Sequence, residues 1–337
     1  MPRKTFKKEF VIKEDLEKIN EKNKEFTSKF LKDKSSKLSD KSIENYRGHL
    51  NIFFTWNMKY NNNKSFIEIK KLEFSEYFSF VIDELKWGSA RFNGGRSCLS
   101  SLSQFIEKFY DDEYPNFKNV ILKIIDSTPK EERREKTILK DGQVELLLSY
   151  LFEKNKQKAC WLSLAVFSGS RFSELLRFTT DIINEERRAF GDIFLETEKT
   201  IKTKGRGKGG KLLHKYILAE NFLPYYRAWI EERKIIIEKL GIEDHKFIFI
   251  NSDGLPIEDY VVRNWFVEFE KIIGVPFYPH SLRHYLTTLL SKKNIPPMLI
   301  KEIFGWAGVG MVELYDDTTA RDKEWEGLDN LKSKEEK

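Results

Sequence analysis

The sequence predicts a mostly helical protein in two parts, an N-terminal helical bundle followed by a mixed α+β domain with a small antiparallel sheet. Three observations carry this expectation. Apolar residues recur at i, i+3, i+4 spacing through most of the 337 residues. A polar, charged stretch, DSTPKEERREK at 126–136, interrupts them with the composition of an interdomain linker. Beyond it, two short apolar runs at 192–197 and 212–218 flank a basic loop, the pattern of a strand pair. A chain of this length exceeds one small core and suits two domains.

Taken in order, residues 1–38 are charged and sparsely apolar and are expected to form a basic arm, loosely ordered or helical. Ser39 then has the character of an N-cap. After it Ile43, Tyr46, Leu50, Phe53 and Phe54 define one buried stripe. Further stripes run over 66–86 (Phe74, Tyr77, Phe78, Val81) and 92–110 (Leu99, Leu102, Phe105, Ile106), separated by Trp87-Gly88-Ser89. The bundle therefore spans 39–125, and the second domain spans 137–320. That domain opens with helices near 140–153 and 157–168, carries the strand pair, and continues with a helix at 222–239. A short strand at 247–250 enters the turn Asn251-Ser252-Asp253-Gly254, and helices fill the remainder. The tail, 321–337, places Trp325 and Leu328 among charges; it reads as a helix that docks on a neighbouring protomer or packs on its own domain.

Composition narrows the class. Hydrophobic residues make up 40% and charged residues 33%, the balance of a globular chain. No apolar run approaches the roughly 20 residues of a membrane span, and MPRKTFKKEF lacks the apolar centre of a secretory signal. The two cysteines, Cys98 and Cys160, lie in apolar helical patterns, which argues against a disulfide framework and for a reducing, cytoplasmic setting. No His/Cys cluster has metal-ligand spacing, so no metal is expected. The net charge is +6, and seven Lys or Arg with no acidic residue fall between Lys199 and Lys215. A polyanion is the partner such a surface suits. Gly205, Gly207 and Gly210 resemble a nucleotide-binding string, but no helix follows them, so no nucleotide cofactor is expected.

Transfer of a phosphodiester needs a nucleophile in line with the leaving oxygen, cations to hold the phosphorane charge, and an acid for the departing 5′-oxygen. The second half of the chain offers each. Arg171, in Gly169-Ser170-Arg171-Phe172-Ser173-Glu174, follows an apolar helix and opens the next; Glu174, one turn on, can orient its guanidinium. His280 and Arg283, three apart behind Pro279, share one helical face. His284 points elsewhere and reads as a structural histidine. Gly305-Trp306 precedes Tyr315 by nine residues from the tryptophan. Each alone is ordinary surface or core chemistry; the ordered set is not.

In that order and wording the chain resembles the tyrosine recombinase, or phage-type integrase, family. GSRFSELL resembles its T-G-x-R-x-S/G-E-L-L, HSLRHYLTTLL its H-x-L-R-H-x-x-A-T-x-L, and IKEIFGWAGVGMVELY its I-x-x-x-L-G-H-x-x-x-x-T-x-x-Y. Residues 39–110 resemble, more weakly, the family's SAM-like core-binding domain. The resemblance implies a DNA recombinase in which Arg171 and Arg283 bind the non-bridging oxygens of the scissile phosphate, Tyr315 attacks phosphorus to give a 3′-phosphotyrosine, and His280 assists proton transfer. Trp306 stands where the family more often has His; an indole N–H donates to a phosphate oxygen but carries no proton back. The family's hairpin lysine is Lys204 by its Thr-Lys-Gly setting, with Lys208 and Lys211 as alternatives. Met311 and Val312 replace the usual Thr-Thr before the tyrosine.

The resemblance further implies double-stranded DNA as partner, assembly of four protomers on two sites, no cofactor, and a cytoplasmic, nucleoid-associated protein. The two domains are expected on opposite sides of the duplex. Lys202, Arg206, Lys208 and Lys211 of the loop, and Arg47, Arg91 and Arg96 of the bundle, are the expected DNA contacts. A type IB topoisomerase would use the same tyrosine chemistry, but the compact length and the bundle argue against it. A silent DNA-binding protein would have lost an arginine or the tyrosine.

Overall fold

A computed structural model describes residues 10–128, 137–205 and 209–316. Arg206, Lys208, most of the expected linker and the whole tail at 321–337 lie outside the described residues. The chain divides into two compact units, one within Met1–Arg134 and the other within Glu135–Lys204 and Lys211–Lys337.

The first unit is helical: α1 Lys13–Glu17, α2 Glu21–Ser35, α3 Asp40–Tyr60, α4 Lys71–Asp83, α5 Ser89–Phe109 and the single turn α6 Ile121–Ile124. Ser39 caps α3 as expected, its hydroxyl accepting from the Ser42 amide at 3.3 Å. Within the segment expected as an arm, loosely ordered or helical, residues 10–38 supply the helices α1 and α2, and Phe26 and Phe30 of α2 are fully buried in the same core as Phe53, Phe54, Phe66 and Tyr77. Phe26 and Phe30 are four apart and so face one way; the lysines and glutamates between them lie on the water side.

A turn at 61–66 joins α3 to the next segment, with Asn62 and Asn63 in the left-handed region. Buried asparagines hold it. Asn23 Nδ2 and Asn57 Nδ2 both donate to the Lys64 carbonyl at 2.8 Å, Asn61 Nδ2 donates to Asn57 Oδ1, and the Phe66 amide donates to Asn23 Oδ1. Three of these four bonds supply a backbone group with a partner that the turn does not offer, and the fourth ties two of the asparagines together.

The second unit is built on α8 (Lys156–Ser168), in which every residue from Ala159 to Ser168 is buried. A helix apolar all round must be central, and α7 (Asp141–Lys154), α10 (Ala219–Leu240) and α12 (Pro279–Lys292) pack around it. The one-turn α9 (Phe172–Leu175), α11 (Asp259–Ile273), α13 (Pro297–Phe304) and α14 (Gly310–Tyr315) complete the helices. The expected strand pair is present but broken in two. β1 (Arg188–Ala189), β2 (Phe194–Glu196) and β5 (Tyr216–Leu218) form one antiparallel sheet, while β3 (Ile201–Thr203), in what the sequence suggested was loop, pairs with β4 (Lys211–Leu213), at the start of the expected 212–218 strand, in a second ladder. The break falls at Thr197 and Lys215. The Lys215 amide donates to Thr197 Oγ1 at 2.9 Å, and the Thr197 amide donates to the Lys215 carbonyl.

The expected strand at 247–250 is corrected: it is extended but makes only isolated bridges, Thr179 to Phe247 and Ile250 to Pro256. Side chains take the place of a ladder there. Arg233 Nε donates to the Phe247 carbonyl, Trp229 Nε1 to that of Ile248, and the Ile250 amide donates to Gln157 Oε1, each at 2.8 Å.

Candidate active site

The end of α8 sets the position of everything that follows. Gly169 adopts φ 53°, and a Cβ there would stand 2.2 Å from Phe304 Cε1; only glycine permits both the turn and the contact. The buried carbonyl of Gly169 accepts from Arg283 Nη1 at 2.5 Å. Arg283 projects from the first turn of α12, which Pro279 opens as the sequence suggested. Its side chain is one of the largest fully buried groups in the molecule, 1% exposed, and its Cζ lies 4.7, 4.9 and 5.5 Å from the rings of Phe304, Trp306 and Tyr315. Aromatic faces stabilise the cation without taking its N–H groups.

Arg171 opens the one-turn α9 as its N-cap. Its amide is not open to an anion, because it donates to Glu174 Oε2 at 3.1 Å. Its Nη1 donates to Glu174 Oε1 at 3.0 Å; the rest of its fork makes no hydrogen bond among the described residues. Glu174 is fully buried. Burial alone raises its pKa, but the charge and hydrogen bond of Lys215, then the amide and charge of Arg171, outweigh it and hold the carboxyl below the usual range.

Lys215 is the residue that sequence reasoning missed. It is 4% exposed and its Nζ sits 2.6 Å from Glu174 Oε2. A signal existed: Lys215, Ile217 and Ala219 alternate on the buried face of β5 and its flanks. Seven basic residues in one run obscured it.

The remaining groups gather at the C-terminal end. Tyr315 closes α14, which packs against α12. Its ring stacks on Trp306 at 5.2 Å and 23°, and lies 4.5 Å from His284 and 6.3 Å from His280. His284 is satisfied, as a structural histidine should be, but by the tyrosine's own carbonyl, at 3.1 Å from Nδ1. Partial burial, then the positive charge of Arg283 and contributions from His284, Arg171 and Lys204, hold the His280 imidazole below the ordinary histidine range and favour its neutral form. Lys204 thus lies within electrostatic reach of His280. It is exposed, one residue past β3. The hairpin carrying it is tethered by Arg177 Nη1 to the Lys202 carbonyl at 2.5 Å. Gly305, at φ 64°, lets Leu213 of β4 approach where a Cβ would stand 2.5 Å away.

Three buried donors in this cluster have no hydrogen-bond partner among the described residues: Arg283 Nε, Arg283 Nη2 and Trp306 Nε1. The Arg283 guanidinium is pushed down to about 10, by burial first and then by the charge of Arg171, against which Glu174 and Tyr315 act. Unmet donors beside concentrated cations constitute an oxyanion site. Among the described residues no group of three or more His, Cys, Asp or Glu side chains could hold a metal ion.

Of the other expected DNA contacts, Lys202 and Lys211 are exposed on the β3–β4 ladder, and Arg47 is exposed beside Lys24 and Lys32. Arg91 is exposed and stacks on Trp87 with Cζ 4.7 Å from the ring. Arg96 has a different engagement: its guanidinium donates to the carbonyls of Ile125 and Leu122, tying down the end of α6.

A helical unit followed by a domain that gathers the unmet donors of Arg283 and Trp306 beside a tyrosine ring suits the class of proteins that transfer phosphodiesters. The chain belongs to the phage integrase family, which matches residues 137–321. It is a tyrosine-type site-specific DNA recombinase. It is 27% identical over 297 residues to the SPbeta prophage-derived recombinase-like protein YomM of Bacillus subtilis, covering 85% of this chain and 84% of that one. It is 25% identical over 282 residues to the tyrosine recombinase XerC of Thermodesulfovibrio yellowstonii, covering 82% and 85%. Its fold matches that of a lambda integrase tetramer bound to a Holliday junction, with TM-score 0.61 and 18% identity over 87% of this chain and 77% of that one. Among the described residues no helix is long and apolar enough to cross a membrane.

Proposed function

We propose that Tyr315 is the nucleophile of this recombinase and that Arg171, Arg283, Trp306, His280 and Lys204 serve the phosphate it attacks. The observation that carries this is the set of three unpartnered buried donors, on Arg283 and Trp306, beside the tyrosine ring. Arg283 Nε and Nη2, the free part of the Arg171 fork and Trp306 Nε1 hold the non-bridging oxygens. Tyr315 Oη bonds to phosphorus as the bond to the 5′-oxygen breaks, giving a 3′-phosphotyrosine and a free 5′-hydroxyl. Neutral His280 takes the phenolic proton, and Lys204 supplies one to the leaving oxygen. Trp306 donates throughout and exchanges no proton. Rejoining reverses the steps with a 5′-hydroxyl from the partner strand, so neither metal nor nucleotide is consumed.

The helical unit grips duplex DNA through Arg47 and Arg91, and the second unit through Lys202 and Lys211, with Arg206 and Lys208 of the basic loop as further contacts; affinity therefore falls steeply with salt. Exchange runs in a tetramer on two sites, in keeping with the lambda integrase likeness, in a cytoplasmic, nucleoid-associated protein.

The test is a nicked suicide duplex, drawn from sites the protein selects out of a random pool, with no metal added. Wild type is expected to form a covalent adduct mapping to Tyr315, and Tyr315→Phe to bind equally and form none. Binding without an adduct in wild type would leave a silent DNA-binding protein. Relaxation of supercoiled plasmid without site preference would leave a topoisomerase.

A further inference from the structure

We propose that Lys215 is a positioning residue for strand cleavage: by holding one oxygen of Glu174 it fixes how Arg171 is presented to the scissile phosphate. This rests on the reading of Arg171 as a phosphate ligand given above.

The geometry is a chain of three contacts. Glu174 Oε2 is shared between Lys215 Nζ, at 2.6 Å, and the Arg171 amide, at 3.1 Å, while Oε1 takes only Arg171 Nη1, at 3.0 Å. A carboxylate left to itself prefers to close as a fork on a guanidinium, with two parallel N–H bonds. Lys215 prevents that by occupying the second oxygen, so Arg171 is oriented by one bond and the remainder of its fork stays available. The lysine is itself fixed. Its backbone is locked to Thr197 in both directions, amide to Oγ1 and carbonyl to amide, and the His214 ring nitrogen Nδ1 bonds the Thr197 carbonyl at 2.7 Å. The break between the two ladders is therefore the feature that aims Lys215 inward.

Charge points the same way. Arg171, Arg283 and Lys215 against Glu174 leave two net positive charges in the cluster. A phosphodiester brings one negative charge and its pentacoordinate transition state two. Without Lys215, a fully buried carboxylate would cancel one of the two arginines that serve the phosphate. Among the described residues Lys215 Nζ bonds Glu174 alone, so it acts through Glu174 and not on the 5′-oxygen.

The experiment compares single-turnover adduct formation on two nicked suicide duplexes, one ordinary and one with sulfur in place of the bridging 5′-oxygen. Sulfur leaves without protonation, so it rescues loss of a general acid and not loss of arginine positioning. Lys215→Met is expected to slow cleavage about a hundredfold, the scale of one lost oxyanion donor, equally on both duplexes, with binding of intact duplex changed less than about threefold. Lys204→Ala is the control, slow on oxygen and rescued by sulfur. In a Glu174→Gln background, adding Lys215→Met is expected to cost less than about threefold, because the carboxylate it restrains is gone. The double variant, which removes the buried carboxylate and the lysine charge together, also decides the matter against Glu174→Gln if Lys215→Met alone does not fold. Selective sulfur rescue of Lys215→Met would make Lys215 the acid and overturn the proposal, as would wild-type cleavage by Lys215→Met or a cost above about thirtyfold in the Glu174→Gln background. Absence of any adduct in wild type on either duplex would instead reject the recombination chemistry itself.

Discussion

The two units bury polar side chains for opposite ends. Around the turn at 61–66 in the first unit, Asn23, Asn57 and Asn61 spend their amides on Lys64, Phe66 and one another. In the second unit Arg283 is just as deeply buried, yet two of its nitrogens and the indole nitrogen of Trp306 make no hydrogen bond. A buried amide with a full set of partners fixes a loop and repays its desolvation locally. A buried guanidinium with partners missing is kept at a cost, and the structure recovers that cost only when an anion arrives. Burial alone does not separate structure from function, and neither does an unmet donor alone, since Trp87 Nε1 in the first unit and Trp161 Nε1 in the core of the second are unmet too; unmet donors gathered beside buried cations do.

The largest test of this contrast is Arg283→Met. Cleavage is expected to fall by about a thousandfold or more, since both empty nitrogens lie where the phosphorane charge develops. Stability is expected to stay within about 1 kcal/mol of wild type or to rise, because an incompletely paired buried charge is exchanged for an apolar chain of similar length. Chemical denaturation beside single-turnover cleavage measures both. A loss of several kcal/mol would place Arg283 with the asparagines, as a structural group, and the contrast would be gone.

Gly169→Ala comes next and affects both properties at once. The new methyl meets Phe304 and the residue must keep φ 53°, so about 2–4 kcal/mol of stability is expected to go. The same shift moves the carbonyl that anchors Arg283, and cleavage per folded molecule should fall as well. A variant that loses stability and cleaves normally would show that Arg283 needs no such anchor.

Asn57→Leu in the first unit is the counterpart. Its amide serves the Lys64 carbonyl and its oxygen the Asn61 amide, so removing both leaves buried groups unpaired and is expected to cost about 1–3 kcal/mol. Cleavage by the folded fraction should be unchanged. A catalytic defect without loss of stability would contradict the division.

How far the sequence foretold these two networks follows from what each leaves in the one-dimensional pattern. Arg171, His280, Arg283, Trp306 and Tyr315 stand at fixed intervals in motifs, and the geometry gathers Arg283, Trp306, Tyr315 and His280 at one point. Glu174 was visible through its i, i+3 spacing from Arg171. Lys215 was hidden because a lysine among lysines carries no contrast, and only the period-2 alternation with Ile217 marks it as inward. The helix α2 was obscured in the same way, its Phe26 and Phe30 diluted by charged neighbours. The asparagine network had no motif at all: Asn23 and Lys64 are 41 residues apart, and nothing local announces that an amide will meet a carbonyl across such a distance. The segment 247–250 looked like a strand because it is buried and apolar; that its partners are Arg233, Trp229 and Gln157 side chains is a tertiary fact.

The smallest expected effect concerns His49, which packs edge-on against Trp87 at 5.4 Å with Nδ1 buried and unpartnered. Burial, and then the charge of Arg91, push its pKa down to about 4. A histidine depressed in the folded state binds its proton more readily when unfolded. Its contribution to stability is therefore complete above the unfolded value of about 6.5 and is lost as pH falls from there toward 4. Between pH 7 and pH 5 this amounts to about 1–2 kcal/mol at most, lessened by the partial exposure of the ring. In His49→Phe, which keeps the edge contact and cannot titrate, unfolding of the first unit should lose that much less over the same interval. An acid sensitivity identical to wild type would mean that the unmet nitrogen finds a partner in solution, and that His49 belongs with the satisfied asparagines after all.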